Sequence, residues 1–232
     1  MRENGERPVT AELLEYLETF VTEERRTRMN AVLGERTRYI TVAIEDIYQP
    51  HNASAILRTC DCYGVQDVHI IENRNTYRVN PGVELGTAQW LTLNRYRESR
   101  DNTTAAIAAL RDRGYRIVAT TPHTNETTPD DLDLEGGPVA LLFGTEMEGL
   151  SEAALGQADE HLVIPMFGFV ESFNISVSAA IILSRLTGRL RSSDIPYQLT
   201  HDEKTVIYHQ WLRHSVGRSE AVEREFWARH KQ

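Results

Sequence analysis

Cysteine is scarce in this chain of 232 residues, which contains two of them, Cys60 and Cys62. They lie too close together to staple a fold, and there is no second pair with which they could hold zinc. The pattern therefore argues against a disulfide-stabilised scaffold and against a zinc-binding module. We expect two reduced cysteines that serve packing, and no metal site.

Long apolar runs are also missing. The longest candidate for a membrane span, ISVSAAIIL at residues 175–183, is much shorter than the roughly 20 residues that a bilayer requires. The N-terminus does not have the charged-then-apolar pattern of a secretory leader. We expect a cytoplasmic protein with no membrane partner, and a chain length that suits one substantial domain with helical extensions.

Net positive charge is lacking as well, because the formal charge is -9 at pH 7. Residues 101–160 carry twelve acidic and three basic side chains, which accounts for the whole excess, so the remainder is neutral. Within that remainder, EERRTRMNAVLGERTR at 23–38 contains five arginines against three glutamates. Binding to nucleic acid is largely electrostatic, so a basic face in this segment remains open, with an evenly solvated helix surface as the alternative.

Apolar runs bounded by turns alternate with helical stretches through the middle of the chain. The runs predict strands at 39–46, 66–72, 115–121, 138–144 and 161–166. The stretches between and after them predict helices at 52–63, 103–113, 151–157 and 174–191. Strands that are apolar at almost every position indicate a parallel sheet covered by helices on both faces, and therefore an α/β fold.

Both ends of the chain read as helical. Residues 10–33 predict one or two helices, with Thr10 as a capping residue. A linker at 191–200 leads to a helical tail in which Trp211 and Trp227 either dock back or meet a partner. The expected organisation is an N-terminal extension over 1–38, a central domain over 39–191, and a linker and tail over 192–232.

Ligands of open α/β sheets gather beyond the carboxyl ends of the strands, and three segments there are unusual. The first is QPHNASAILRTCDCYGV at 49–65, where Asn52 is predicted to cap a helix. Ser54, Arg58 and Asp61 share one face of that helix by their spacing. Arg58 either pairs with Asp61 on a solvated surface or serves a site.

The second segment is LLFGTEMEGLS at 141–151, a strand followed by a turn bounded by glycines and a helix capped by Ser151. Gly144 and Gly149 have the spacing of glycines in a phosphate-binding loop, but the lysine is missing and Glu146 and Glu148 would repel an anion. A ligand with a positive centre and no phosphate suits this loop better. An ordinary acidic turn is the alternative.

The third segment is IPMFGFVESFNISVSAAIIL at 164–183. Ser172, Asn174 and Ser176 recur at every second position in front of a helix. Their short hydroxyl and amide groups either hold a ligand that bears hydroxyl groups or cap the helix. Capping would need one of the three, which favours a site.

In this order, the three segments resemble the signature motifs of the SpoU branch of the SPOUT RNA methyltransferases, with the first motif extended to EDIYQPHNASAILRTCDCYGV at 45–65. The resemblance extends to the arginine-containing segment before residue 47 and to the tail. It implies a parallel α/β domain over 39–191 with a deep trefoil knot in about 139–191, an exception to the rule that chains do not thread loops. It also implies S-adenosylmethionine as cofactor and a homodimer with the active site near the interface.

The resemblance assigns roles to individual residues. The catalytic positions of the family fall on Asn52, Arg58, Glu146, Ser172 and Asn174. The cofactor is expected among Thr121, Pro122, Gly144, Ile164, Met166 and Phe173. The arginines expected to hold the body of the RNA are Arg25, Arg26, Arg28, Arg36 and Arg38.

The implied reaction moves a methyl group from S-adenosylmethionine to a ribose 2'-oxygen in tRNA, at guanosine 18 of the D-loop. A guanidinium hardly deprotonates in proteins, so we expect Arg58 to grip the phosphate beside the target ribose. The alternatives are methylation of ribosomal RNA and a non-catalytic RNA-binding protein of the same fold. An ordinary nucleotide-binding or flavin domain is disfavoured by the missing phosphate loop.

Overall fold

A computed structural model of the chain describes residues 8–78, 80–122, 127–145 and 147–230. The chain divides into two compact units. The sheet unit is Thr37–Gln198, and the terminal unit combines Met1–Arg36 with Leu199–Gln232.

The sheet unit is built on six parallel strands among the residues that the structure describes. They are β1 (Ile40–Glu45), β2 (Asp67–Ile71), β3 (Thr92–Tyr96), β4 (Arg116–Thr120), β5 (Val139–Phe143) and β6 (Glu160–Leu162). Their order across the sheet is β3-β2-β1-β5-β4-β6, and every neighbouring pair is parallel. The carboxyl ends of β1, β5 and β4 therefore lie side by side at one edge, where a parallel sheet places its ligand.

Helices cover both faces of this sheet, which explains why its central strands are apolar at nearly every position. Inward side chains such as Val42 of β1 and Leu141 of β5 pack against α3 (Pro50–Cys62) and α7 (Ile175–Arg191). On the opposite face, Leu142 of β5 packs with α5 (Asn102–Asp112) and α6 (Glu152–Gln157). The predicted α/β class with a parallel sheet is confirmed.

The predicted strands β1, β2, β4 and β5 and the predicted helices agree with the structure to within about two residues, the usual ambiguity of element ends. The last strand is shorter than expected and begins at Glu160. Strand β3 was not predicted, because it is a half-exposed edge strand of mixed polarity without a long apolar run. A short helix, α4 (Pro81–Glu84), and a 3₁₀ turn (Thr87–Trp90) precede it.

The start of α3 differs from the prediction in a way that matters for the site. Asn52 was expected to be the N-cap, but the helix begins at Pro50 and Gln49 occupies the capping position, without a side-chain cap. Proline suits the first helical position because its fixed φ is already helical and no amide hydrogen is lost there. Asn52 consequently lies inside the first turn, where its side chain is buried.

The terminal unit joins the two ends of the chain. It contains α1 (Ala11–Glu18), α2 (Glu23–Gly34), α8 (His201–Ser215) and α9 (Ser219–Arg229). Leu17, Trp211 and Phe226 are buried in it. Thr10 caps α1 as predicted, and Thr200 caps α8 in a reciprocal arrangement with Glu203. The tail was expected either to dock back on the chain or to meet a partner. Trp211 docks back, since it is buried within this unit.

Candidate active site

A cavity of about 290 Å³ opens at the carboxyl edge of the sheet. This volume is near the lower end of the range for small-molecule sites, about 300–1,000 Å³. Its wall comes from the loops after β4, β5 and β6 and from the first turns of α7. The wall includes every residue that was expected to hold the cofactor, namely Thr121, Pro122, Gly144, Ile164, Met166 and Phe173, and it also includes Ser172.

The side chains of this wall suit a positively charged ligand. Glu148 and Glu171 bring two carboxylates, and the described part of the wall contains no lysine, arginine or histidine. Leu162, Ile164 and Ile182 supply apolar surface. S-adenosylmethionine fits this donor set, since it carries a sulfonium and an ammonium and has no phosphate. Glu146, expected in the same loop, lies outside the described residues.

The loop after β5 owes its shape to two glycines. Thr145 and Gly149 exchange backbone hydrogen bonds of 2.9 and 3.1 Å, which folds the loop back on itself. A Cβ at Gly144 would lie 2.0 Å from the carbonyl carbon of Gly149, so only glycine allows this approach. Gly149 has a φ of +70°, in the left-handed region that favours glycine. The glycine spacing thus marks a tight turn at the cavity wall rather than a phosphate grip.

A buried carboxylate at the end of β1 anchors the far end of this loop. Glu45 is 3% exposed and accepts hydrogen bonds from the Ser151 amide at 2.8 Å and from the Ser151 hydroxyl at 2.7 Å. Ser151 also caps α6 as predicted, since its Oγ accepts from the Ala154 amide. Glu45 was not predicted as a site residue, although an acidic residue at the end of an apolar strand is a signal for one.

A second acidic residue at the same strand end organises the loop after β2. Asp46 has a φ of +52°, and its Oδ1 accepts from the backbone amides of Asn73, Arg74 and Asn75. This turn presents Arg74 to Glu148, with Nη2 and Oε2 2.6 Å apart. The hydrogen bond with Glu148 raises the pKa of Arg74. Sequence analysis missed this contact because its two partners are far apart in the chain.

Asn174 joins the first and third motifs. It is the N-cap of α7, and its Oδ1 accepts from the Ser176 amide at 2.9 Å and the Ser176 hydroxyl at 2.6 Å. Its Nδ2 donates to Oδ1 of Asn52 at 3.2 Å. Asn174 therefore caps α7 with its oxygen and still has its nitrogen bonded to the first motif, so capping does not exclude a role in a site.

Arg58 is exposed on α3, and its Nη1 donates to the backbone carbonyl of Val83 at 3.1 Å. Neither Arg58 nor Asn52 belongs to the described wall of the cavity. The structure therefore places Ser172 on the wall, Asn174 between two wall residues in the chain, and Arg58 apart from them. Among the described side chains, the Arg58 guanidinium forms no ion pair and its partner is a neutral carbonyl.

The buried histidine of the sheet, His69, is not among the described residues of the cavity wall. His69 on β2 is buried, and burial lowers its pKa to about 3. Its Nδ1 is 2.9 Å from the Tyr96 hydroxyl. It is therefore a neutral residue of the sheet interior rather than a general base.

The five arginines expected to bind RNA differ in their surroundings. One is buried, two pair with carboxylates and two are exposed. The assignment of Arg36 is wrong, because its side chain is 1% exposed and its guanidinium lies over the Trp211 ring, 5.4 Å from the centroid. Arg38 donates to Asp67 at 3.0 Å and opposes the effect of burial, which raises the pKa of that carboxyl. Arg26 pairs with Glu18 at 3.3 Å. Arg25 and Arg28 are exposed.

Large apolar side chains stand in solvent around the mouth of the cavity. Met147, Phe167 and Phe169 are almost completely exposed, and Val170 is 69% exposed. These four residues are called the apolar rim. An exposed apolar patch of this kind is typical of an interaction surface.

The described helices are all too short or too polar to cross a bilayer. Within the described ranges, no group of three histidine, cysteine, aspartate or glutamate side chains is placed to hold a metal ion. Both cysteines are free thiols, with Cys60 buried in α3.

Comparison with known proteins agrees with this geometry. The model of the SpoU rRNA methylase family matches residues 39–184. A tRNA (guanosine(18)-2'-O)-methyltransferase of Borreliella burgdorferi is 42% identical over 207 residues, which cover 89% of this chain and 93% of that protein.

Solved structures show the same likeness. The crystal structure of the Aquifex aeolicus TrmH/SpoU tRNA modifying enzyme superposes with a TM-score of 0.74 at 29% identity, over 84% of this chain and 98% of the other. The SpoU methyltransferase AviRb from Streptomyces viridochromogenes, solved in complex with the cofactor AdoMet, has a TM-score of 0.54 at 25% identity, over 70% of this chain and 62% of the other. The second and third motifs line one cavity, the first is joined to the third by the Asn174–Asn52 hydrogen bond, and the family model matches residues 39–184, so the chain belongs to the SpoU rRNA methylase family.

Proposed function

We propose that this protein transfers a methyl group from S-adenosylmethionine to the ribose 2'-oxygen of guanosine 18 in tRNA. The observation that carries the proposal is the cavity at the carboxyl edge of the sheet. Its wall joins the loops after three strands, contains two carboxylates and has no basic residue in its described part. The B. burgdorferi relative is named as a tRNA methyltransferase, and its alignment covers 89% of this chain, which is more than the central domain. This match supports tRNA as the substrate class.

The loops after β4, β5 and β6 bind the cofactor. S-adenosylmethionine supplies a methyl group that its own sulfonium has already activated. Glu171 offers a carboxylate to positive charge at the wall, and Glu148 offers a second one, which also pairs with Arg74 at 2.6 Å. The close approach of Gly144 to Gly149 leaves no room for a side chain on Gly144. Thr121 and Pro122 close the cavity on the β4 side.

The chain has two further tasks, which are to align the ribose hydroxyl and to help its proton leave. A guanidinium is a poor base in proteins, so the role of Arg58 is to grip the phosphate beside the target ribose. Asn52, Asn174 and Ser172 shape the ribose site by hydrogen bonds. Glu146 completes this set by its place in the second motif.

The proposed fold includes a deep trefoil knot in about 139–191. In its support, the loops after β5 and after β6 converge on one cavity from strands at different places in the sheet. The proposed assembly is a homodimer, which the apolar rim beside the cavity supports. The proposed location is the cytoplasm, where tRNA is the substrate.

Arg25 and Arg28 are proposed to contact the body of the tRNA, together with basic side chains of the tail. Both arginines are exposed on α2 in the terminal unit. Replacing both with glutamine is expected to weaken tRNA binding and to reduce the slope of affinity against salt by about one unit for each phosphate that the variant no longer neutralises. An unchanged slope would assign RNA binding to other surfaces.

The decisive experiment incubates the protein with methyl-labelled S-adenosylmethionine and two tRNA transcripts, one of which carries a 2'-deoxyribose at position 18. The normal transcript is expected to accept label and the deoxy transcript to accept none. A ribosomal RNA fragment tests the alternative substrate. Label on the deoxy transcript would place the modification elsewhere.

Arg58→Ala tests the proposed phosphate grip. Its rate is expected to fall at least about a hundredfold, because a misaligned nucleophile loses that much, while cofactor affinity stays within a few-fold. The matched control is Arg185→Ala on α7, which removes an exposed arginine 4.0 Å from Asp130. A wild-type rate in Arg58→Ala would overturn its assignment.

A further inference from the structure

Three side-chain amides form a hydrogen-bonded chain between α7 and α3. Asn174 donates to Asn52 at 3.2 Å, and Asn52 donates through Nδ2 to Oε1 of Gln49, also at 3.2 Å. Gln49 is the residue in front of α3, in the capping position that Asn52 was expected to fill.

One backbone group fixes the direction of the whole chain. The amide of Ser176 can only donate, so the Asn174 atom that meets it at 2.9 Å must be the oxygen. The nitrogen of Asn174 then faces Asn52, which must offer its own oxygen in return. By the same logic, the nitrogen of Asn52 faces Gln49, and Gln49 must offer an oxygen. The orientations follow from the network and need no separate assignment.

The chain of amides lies directly beside the cavity. Asn174 stands in the sequence between Phe173 and Ile175, both of which are wall residues. Asn52 is 3% exposed, so its amide depends on protein partners for its hydrogen bonds. Gln49 is exposed and accepts at the end of the chain that lies opposite Ser176.

We propose that Gln49 is a positioning residue for methyl transfer. Its Oε1 holds the Asn52 amide in the orientation that presents the Asn52 oxygen to Asn174. If the Asn52 amide rotated by half a turn, its nitrogen would face the nitrogen of Asn174, and two donors would oppose each other. Gln49 supports that orientation from the end of the chain opposite Ser176, because its Oε1 accepts from the Asn52 nitrogen. This inference rests on the proposed function, in which Asn52 and Asn174 shape the ribose site.

The test compares two substitutions of similar length. Gln49→Glu keeps an oxygen acceptor for Asn52, whereas Gln49→Met removes it. The measurements are kcat at saturating cofactor and tRNA, KM for tRNA, cofactor affinity by calorimetry, and the thermal midpoint. Gln157→Met is the matched control, because Gln157 donates to Thr104 at 3.0 Å on the other face of the sheet.

The methionine variant is expected to lower kcat about tenfold, the loss typical of a slightly misplaced group, with cofactor affinity and thermal midpoint preserved. The glutamate variant is expected to keep kcat within about twofold, since it retains the acceptor. A wild-type kcat in Gln49→Met would overturn the proposal. So would equal losses in both variants, which would show that the Gln49 nitrogen matters, or a parallel loss of stability.

Side-chain amide resonances provide a readout that does not depend on turnover. Gln49→Met is expected to shift the NH₂ signals of both Asn52 and Asn174, and Gln157→Met neither. An unshifted Asn174 signal in Gln49→Met would overturn the proposal even if the protein methylated no tRNA. Absence of methyl transfer by the wild type would instead contradict the proposed function, so the two failures are distinguishable.

Discussion

The two loops that meet at the cavity are held in opposite ways. The loop after β5, residues 144–151, is closed by two backbone hydrogen bonds between Thr145 and Gly149 and anchored through Ser151 to the buried Glu45. The loop after β6, residues 164–173, makes no backbone hydrogen bond to another described residue. Its Phe167 and Phe169 stand in solvent.

The difference shows which part of the site the chain can shape by itself. The loop after β5 has a fixed form because Thr145 and Gly149 bond to each other, Ser151 is anchored to Glu45, and its glycines allow close contact. The loop after β6 has its apolar side chains unburied, so its form depends on what covers them. A cofactor or a second subunit is therefore expected to order the loop after β6 more than the loop after β5.

The largest expected effect comes from Gly144→Ala, which tests whether the loop after β5 is fixed by close backbone approach. The new methyl group would lie 2.0 Å from the carbonyl carbon of Gly149, a contact that only backbone movement can relieve. We expect a loss of more than about 4 kcal/mol in the free energy of unfolding, or a reopened loop without cofactor affinity. Urea unfolding and calorimetry measure the two outcomes.

The control for that substitution is Gly156→Ala in α6, where a Cβ meets nothing within 4 Å. Alanine is the better helix former, so we expect a gain of about 0.5–1 kcal/mol. Equal changes in the free energy of unfolding in Gly144→Ala and Gly156→Ala would show that close backbone approach does not constrain Gly144.

A smaller effect is expected from Glu45→Gln, which tests the anchor of the same loop. Glutamine keeps an oxygen acceptor for the Ser151 amide, but it removes the charge and its NH₂ group forces the Ser151 hydroxyl to accept instead of donate. We expect a loss of about 2 kcal/mol, the range for hydrogen bonds to a buried charged group. Urea unfolding of this variant is compared with that of Glu135→Gln, an exposed carboxylate whose substitution should stay within about 0.5 kcal/mol. Equal stabilities would show that Glu45 does not anchor the loop.

The smallest effect on stability is expected from the loop after β6. In the double variant Phe167→Ser and Phe169→Ser, two side chains already in water are removed, so the stability of the monomer should change by no more than about 0.5 kcal/mol. If the apolar rim is a subunit interface, the same variant should dissociate at a higher protein concentration in sedimentation experiments. An unchanged dissociation constant would remove the apolar rim from the interface.

Much of the sheet could be predicted from the sequence because buried parallel strands leave a simple mark. Runs such as 138–144 are apolar at nearly every position, since helices cover both faces. Strand β3 left no such mark, because an edge strand keeps half of its surface in solvent. Asn52 was misplaced as a cap because Pro50 occupies the first helical position and its fixed φ starts α3 two residues earlier.

The residues of the candidate site could be predicted from the sequence only in part. Gly144, Ser172 and Asn174 were predicted as site residues because they lie within motifs that follow strand ends. Glu45, Arg74 and Gln49 were not, because their partners lie elsewhere in the chain or depend on where a helix begins. Arg36 had the same charge as its neighbours in the sequence, and only the docking of Trp211 revealed it as a buried residue.

The sequence alone determined the class of fold, most of its strands and helices, and the three motifs that follow strand ends, because periodicity and turn residues are local properties. Only the tertiary structure decided which side chains meet. It buried Arg36, paired Arg74 with Glu148, and connected Gln49, Asn52 and Asn174 by hydrogen bonds. Hydrogen bonds and burial depend on distances between segments that are remote in sequence, and those distances exist only once the strands have been ordered in the sheet.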